Sequence, residues 1–138
     1  MRTQIVFAVI AMGAVAFLVW RSLEPQAESV QVGAAMVQVD VPTLTAEGSA
    51  GKAVFDANCA VCHGPNGAGV DGAGPPLVHI IYEPNHHADA AFYLAVKQGV
   101  RAHHWRFGNM PPMPDVAQED VARIIAYVRE LQRANGIN

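Results

Sequence analysis

Both cysteines of this 138-residue chain stand in one run, Cys59-Ala60-Val61-Cys62-His63. No other feature limits so strongly what the chain can become. Over one helical turn, positions i and i+3 lie on the same face, so both sulfurs point along one side with a histidine directly after the second. Two such thiols can add to the two vinyl groups on one edge of a porphyrin, and His63 can then ligate the iron from one side. Competing readings account for less. A disulfide leaves the histidine unexplained, and a thioredoxin-like pair wants a βαβ setting that the surrounding pattern lacks. A zinc site needs two further ligands at matching spacing, and there is no other cysteine.

The start of the chain bears on where such chemistry takes place. Ile5 to Trp20 carries no charge, with Arg2 before it and Arg21 closing it. A bilayer span takes about 17–25 residues, so this run is at the short end. Ala14-Val15-Ala16 offers a small-residue cleavage motif, which leaves a cleaved signal peptide open. Phe17-Leu18-Val19-Trp20 continues the apolar run past that point, and Trp20 beside Arg21 has the character of an interfacial anchor. The expectation is an uncleaved, single-pass anchor or signal segment over 1–21, and either form exports the rest of the chain. Without it the chain carries 7 basic and 12 acidic side chains, a net of −5. That balance, with no Lys/Arg-rich run, argues against nucleic acid and for a partner with a basic docking face.

Residues 22–45 contain Glu24-Pro25, Gly33 and Pro42 without a helical repeat and read as a linker. The alternation of Val30, Val32, Val37, Val39 and Val41 is strand-like, so part of the stretch can lie extended against the domain. A first helix is expected over Glu47–Cys59, delivering the cysteine motif at its end. The run Gly64-Pro65-Asn66-Gly67-Ala68-Gly69 stops it. A second helix is expected over Ala88–Lys97 with Gly99 as its cap. The last helix is the clearest, with Val121, Ile124, Ile125, Val128 and Leu131 on the i, i+3, i+4, i+7 rule. Arg129 and Arg133 suit its last turns and Gly136 its end. A domain of about 90 residues has a thin core, and a buried porphyrin would supply much of it.

With the haem motif at the end of a first helix and a Met-Pro loop before an amphipathic last helix, residues 46–134 resemble the class I cytochromes c. The resemblance rests on the cysteine motif, on Gly74-Pro75-Pro76-Leu77, on Met110-Pro111 and on Ala126-Tyr127-Val128. It implies an all-α, cytochrome c-like helical domain around one covalent haem c, here preceded by an N-terminal transmembrane helix and linker. It further implies that Gly51 and Phe55 cross the last helix near Tyr127. A carbonyl of the Gly74–Leu77 loop would accept the other imidazole N–H of His63, which orients the ring. The axial ligands would be a histidine, His63, and a methionine. Met110 and Met113 are both followed by proline, so the local motif does not decide. Family spacing favours Met110, which stands 17 positions before Tyr127 against 14 for Met113. The cofactor-binding set is then Cys59, Cys62, His63 and Met110, with His63 and Met110 on the metal.

A Met/His pair raises the haem potential. By resemblance the protein would carry electrons between respiratory redox complexes, such as a quinol–cytochrome c reductase and a terminal oxidase. It would sit on the cytoplasmic (inner) membrane with its haem domain facing the periplasm. No acid/base or nucleophile constellation stands out, so an electron-transfer protein is expected rather than an enzyme, free or as an oxidoreductase subunit. The alternative is a haem enzyme or gas-binding sensor with an open or labile sixth iron position. Trp105 and Phe107 read as walls of the haem pocket. His79, His86, His87, His103 and His104 read as solvated loop residues, one or two of them reaching a haem propionate. Adjacent histidines are expected to point apart, and no thiol or carboxylate spacing supports a second metal site.

Overall fold

The computed structural model describes residues 33–138. The apolar run Ile5–Trp20, and Val30 and Val32, lie outside the described residues. Among those described, no helix is long and apolar enough to cross a membrane. Four helices lie among the described residues: α1 (Ala46–Asn58), α2 (Ala60–His63), α3 (Asp89–Gln98) and α4 (Gln118–Ala134). Short 3₁₀ turns occupy Pro65–Gly67 and Ile80–Tyr82. The described residues contain no strand, only isolated bridges pairing Val70 with Gly74 and Val100 with Met110.

α1 begins where Thr45 caps it, the side chain accepting a hydrogen bond from the Gly48 amide. Both carboxylate oxygens of Glu130 on α4 then hold Thr45, one through its amide and one through its hydroxyl. The expected helix end at Cys59 is a junction. Cys59 has φ −116°, ψ −32°, and α2 resumes at Ala60 to carry Cys62 and His63. α1 crosses α4 at Gly51, and a Cβ there would stand 1.9 Å from the Arg123 carbonyl oxygen. Only glycine lets the two backbones approach so closely. Phe55 and Tyr127 are both fully buried at this crossing, with ring centroids 5.6 Å apart. Val128, Leu131, Ile124, Val78 and Ile137 complete the cluster.

α4 follows its expected stripe. It ends in a Schellman motif, in which Gly136 (φ 75°) donates to the Arg133 carbonyl and Ile137 to that of Gln132. Ile137 buries its side chain in the core as this motif prefers. α3 is close to its expected range, and Gly99 (φ 75°) caps it by donating to the Ala95 carbonyl.

The stretch before α1 departs from a free tether in its described part. The amides of Met36 and Val37 both donate to the Ala68 carbonyl, and that of Asp71 donates to the carbonyl of Ala34. Asn135 brackets Asp40, accepting from its amide and donating to its carbonyl. Val39 and Leu44 pack against the core. Val37, Val39 and Val41 nevertheless form no strand, because their partners are single loop carbonyls and a side-chain amide instead of a second extended chain.

Candidate haem site

α1 and α2 bring Cys59 and Cys62 to the same end of the domain as free thiols, Cys59 partly buried and Cys62 exposed. Burial, and then the neighbouring Cys62, push the Cys59 thiol up to about 11. A thiol so placed is a poor thiolate ligand or redox nucleophile at neutral pH. His63 turns its Nδ1 to the Pro75 carbonyl oxygen at 2.9 Å. A carbonyl only accepts, so Nδ1 carries the proton and Nε2 is the atom left to ligate. Burial lowers the His63 pKa from its ordinary value, while the Pro75 bond works the other way. The neutral imidazole that a metal needs is therefore the favoured form. The loop holding Pro75 lies hard against the motif, since a Cβ on Gly74 would stand 2.5 Å from the Cys62 carbonyl oxygen.

Two polar side chains fix the loops around this end. Tyr127 donates its hydroxyl to Asn66 Oδ1 at 2.9 Å, tying α4 to the turn after His63. Gln132, 1 % exposed, donates to the carbonyls of Leu77 and Tyr82. Met110 is anchored through its backbone, which exchanges both hydrogen bonds with Val100, at 2.9 and 3.0 Å. Met113 is held by two as well, its amide donating to the Val96 carbonyl and its carbonyl accepting from the Val116 amide. Both side chains are half-buried.

An apolar macrocycle with acidic substituents fits these surroundings. α3 carries Phe92, Leu94 and Val96 yet buries no residue fully, and Ile80 and Leu94 are 58 % and 54 % exposed. Trp105 and Phe107 stack with nearly parallel rings 5.8 Å apart. The buried Trp105 Nε1 has no hydrogen-bond partner among the described residues, and such a donor suits a carboxylate of the haem edge.

Residues 48–132 match the family model described as cytochrome c. The chain belongs to the cytochrome c family. No curated protein and no solved structure gives a significant match. Membership implies covalently bound haem c and electron transfer, and Cys59, Cys62 and His63 stand as the family's attachment requires. The hydrogen bond expected between the Gly74–Leu77 loop and His63 is made by Pro75, and the crossing of Gly51 and Phe55 with α4 is present.

Two features differ from the sequence reading. Arg129, read from sequence only as a cation suiting the last turns of its helix, is 8 % exposed. It donates to Asp89 Oδ1, to the carbonyls of Tyr82 and His87, and to Gln132 Oε1, at 2.6–2.9 Å. Its guanidinium also lies 5.1 Å from the centroid of the Phe92 ring. The second is the histidines. His79 caps the Ile80–Tyr82 turn through Nδ1 and packs edge-on against Trp105. The other four converge instead of pointing apart, because the loop after α3 folds back against the turn before it. Crowding of its ring, and then the charges of His103, His87 and His86, lower the His104 pKa from its ordinary value.

Proposed function

We propose that this cytochrome c is a class I, monohaem electron carrier, with His63 and Met110 as axial ligands. In this reading the N-terminal segment holds it at the periplasmic face of the inner membrane. It relays electrons from a quinol–cytochrome c reductase to a terminal oxidase. The observation that carries the reading is the Pro75–His63 hydrogen bond, which presents Nε2 beside two thiols spaced for thioether attachment. The backbone bonds of Met110 with Val100 hold the chain beside its sulfur, and the longer spacing to Tyr127 favours Met110 over Met113.

A haem attached there supplies a one-electron iron couple. The chain's own residues do the rest. Pro75 fixes the imidazole ring and raises its basicity. The Met110 sulfur and the His63 imidazole would hold the iron from both sides, a ligand pair that favours electron exchange over gas binding and raises the potential. The acidic body suits a partner with a basic docking face.

The sixth ligand separates a carrier from a gas-binding protein. Met110→Ala abolishes the near-infrared sulfur–iron charge-transfer band and opens the iron to carbon monoxide, while Met113→Ala leaves both unchanged. A wild type that lacks the band and binds carbon monoxide readily would overturn the carrier reading.

A further inference from the structure

His86 and His87 end the turn that precedes α3, and both backbone amides donate to the Glu83 carbonyl. His103 and His104 lie in the loop after α3. The ligating nitrogens of His86, His87 and His104 all fall within 4.8 Å of one another. Their ring centroids are 4.7 to 5.3 Å apart, and the His103 ring lies 4.3 Å from that of His104. A tetrahedral ion with bonds of 2.0–2.1 Å needs nitrogens about 3.3 Å apart. Nitrogens at the 4.8 Å limit would have to close by about 1.5 Å to share one ion.

We propose that His86, His87 and His104 form a second metal site, for one divalent transition-metal cation of the zinc or copper type. Proximity of rings is not the whole argument. His87 Nδ1 lies 2.6 Å from the Ile81 carbonyl oxygen, and His103 Nδ1 lies 2.8 Å from that of Arg101. A carbonyl can only accept, so each bond places the proton on Nδ1 and leaves Nε2 as the sole ring donor. A ring held this way through its other nitrogen is the usual state of a metal-binding histidine. The turn is also rigid on its inner side, since Arg129 Nη2 donates to the His87 carbonyl at 2.6 Å. Three imidazoles leave a fourth position for water or for His103. An all-imidazole set suits zinc and copper, and not calcium or magnesium, which want oxygen. The ion would tie the loop after α3 to the turn before it.

The test uses untagged, haem-loaded protein, with zinc(II) and copper(II) added separately and followed by calorimetry. One equivalent of each metal binds beyond the haem iron, copper more tightly than zinc as the Irving–Williams order requires. The double variant His87→Gln with His104→Gln weakens binding by about 100-fold or more, having lost two of three ligands. His79→Gln, outside the cluster, binds as the wild type does. Electron paramagnetic resonance at one equivalent of copper reports the ligands directly in the wild type. Hyperfine coupling to imidazole nitrogens is expected, and an all-oxygen spectrum overturns the proposal. So does a wild type that binds less than one equivalent, or a folded double variant that binds as tightly. These readouts need no assumption about the sixth ligand of the haem.

Discussion

Replacing Arg129 with methionine removes the guanidinium but keeps an apolar stem of similar reach. Four hydrogen bonds go with it. They do not count equally. The Asp89 carboxylate is 62 % exposed and regains water, so that ion pair contributes little net stability. The Tyr82 carbonyl keeps its second donor, Gln132 Nε2, at 3.0 Å. The His87 carbonyl and Gln132 Oε1 are left short of a donor in partly and fully buried surroundings. At about 1–3 kcal/mol for each unsatisfied buried group, and with some return from the methionine packing on Phe92, the net cost is about 2–4 kcal/mol. For a domain near 100 residues that lowers Tm by roughly 10–25 °C. Urea unfolding of the haem-loaded protein, followed by circular dichroism, measures the change. Arg133→Met is the control, one turn on and exposed, with an expected effect within about 0.5 kcal/mol. If Arg129→Met costs no more than Arg133→Met, the guanidinium is not what holds the 82–89 segment to α4.

Gly51→Ala pushes a methyl into the Arg123 carbonyl and forces α1 off α4; the expected loss is about 3 kcal/mol or more, read from the urea midpoint. Denatured protein should keep its haem on a gel, with Cys59→Ala or Cys62→Ala weakening retention; complete extraction from the wild type by acidic organic solvent would refute thioether attachment. Mass spectrometry of the mature protein should find sequence from before Phe17, and alkaline carbonate should leave the protein with the membrane. A soluble protein starting at Phe17 or later would show that the segment is cleaved.

How far a sequence can be read depends on the range of the interactions concerned. α4 is legible because its stripe of Val121, Ile124, Ile125, Val128 and Leu131 is periodic within the helix itself. The haem motif is legible because its chemistry lies within five consecutive residues. The Pro75 carbonyl is within reach only through resemblance, since nothing local marks one carbonyl of a Gly-Pro-Pro loop as an acceptor. Arg129 escapes a sequence reading because its position near a helix end has a sufficient local explanation. Its burial comes from carbonyls at 82 and 87, on a segment that Gln132 also grips. The histidine pairs escape for a similar reason. The rings stay together within each pair, 4.7 Å apart for His86 and His87 and 4.3 Å for His103 and His104, and α3 with the Val100–Met110 pairing returns the second pair alongside the first. A pair of histidines on each side of one short helix is the available signal.

The two halves of this domain are held by different means. On one side, α1 and α4 meet at Gly51 with Phe55, Tyr127, Val128 and Leu131 sealed between them. On the other, α3 and the 77–89 segment add to the packing of Leu77, Val78 and Phe92 two polar side chains of α4, Arg129 and Gln132, reaching backbone carbonyls. Apolar surface there, such as Ile80 and Leu94, is more than half exposed, and burying one such side chain fully is worth about 1.5–3 kcal/mol. A macrocycle seated against it adds core where the chain supplies hydrogen bonds. Attachment through Cys59 and Cys62 would anchor that added core beside the α1–α4 packing. The polar grip of Arg129 places the second half to receive it, so one buried cation serves both the fold and the positioning of the site.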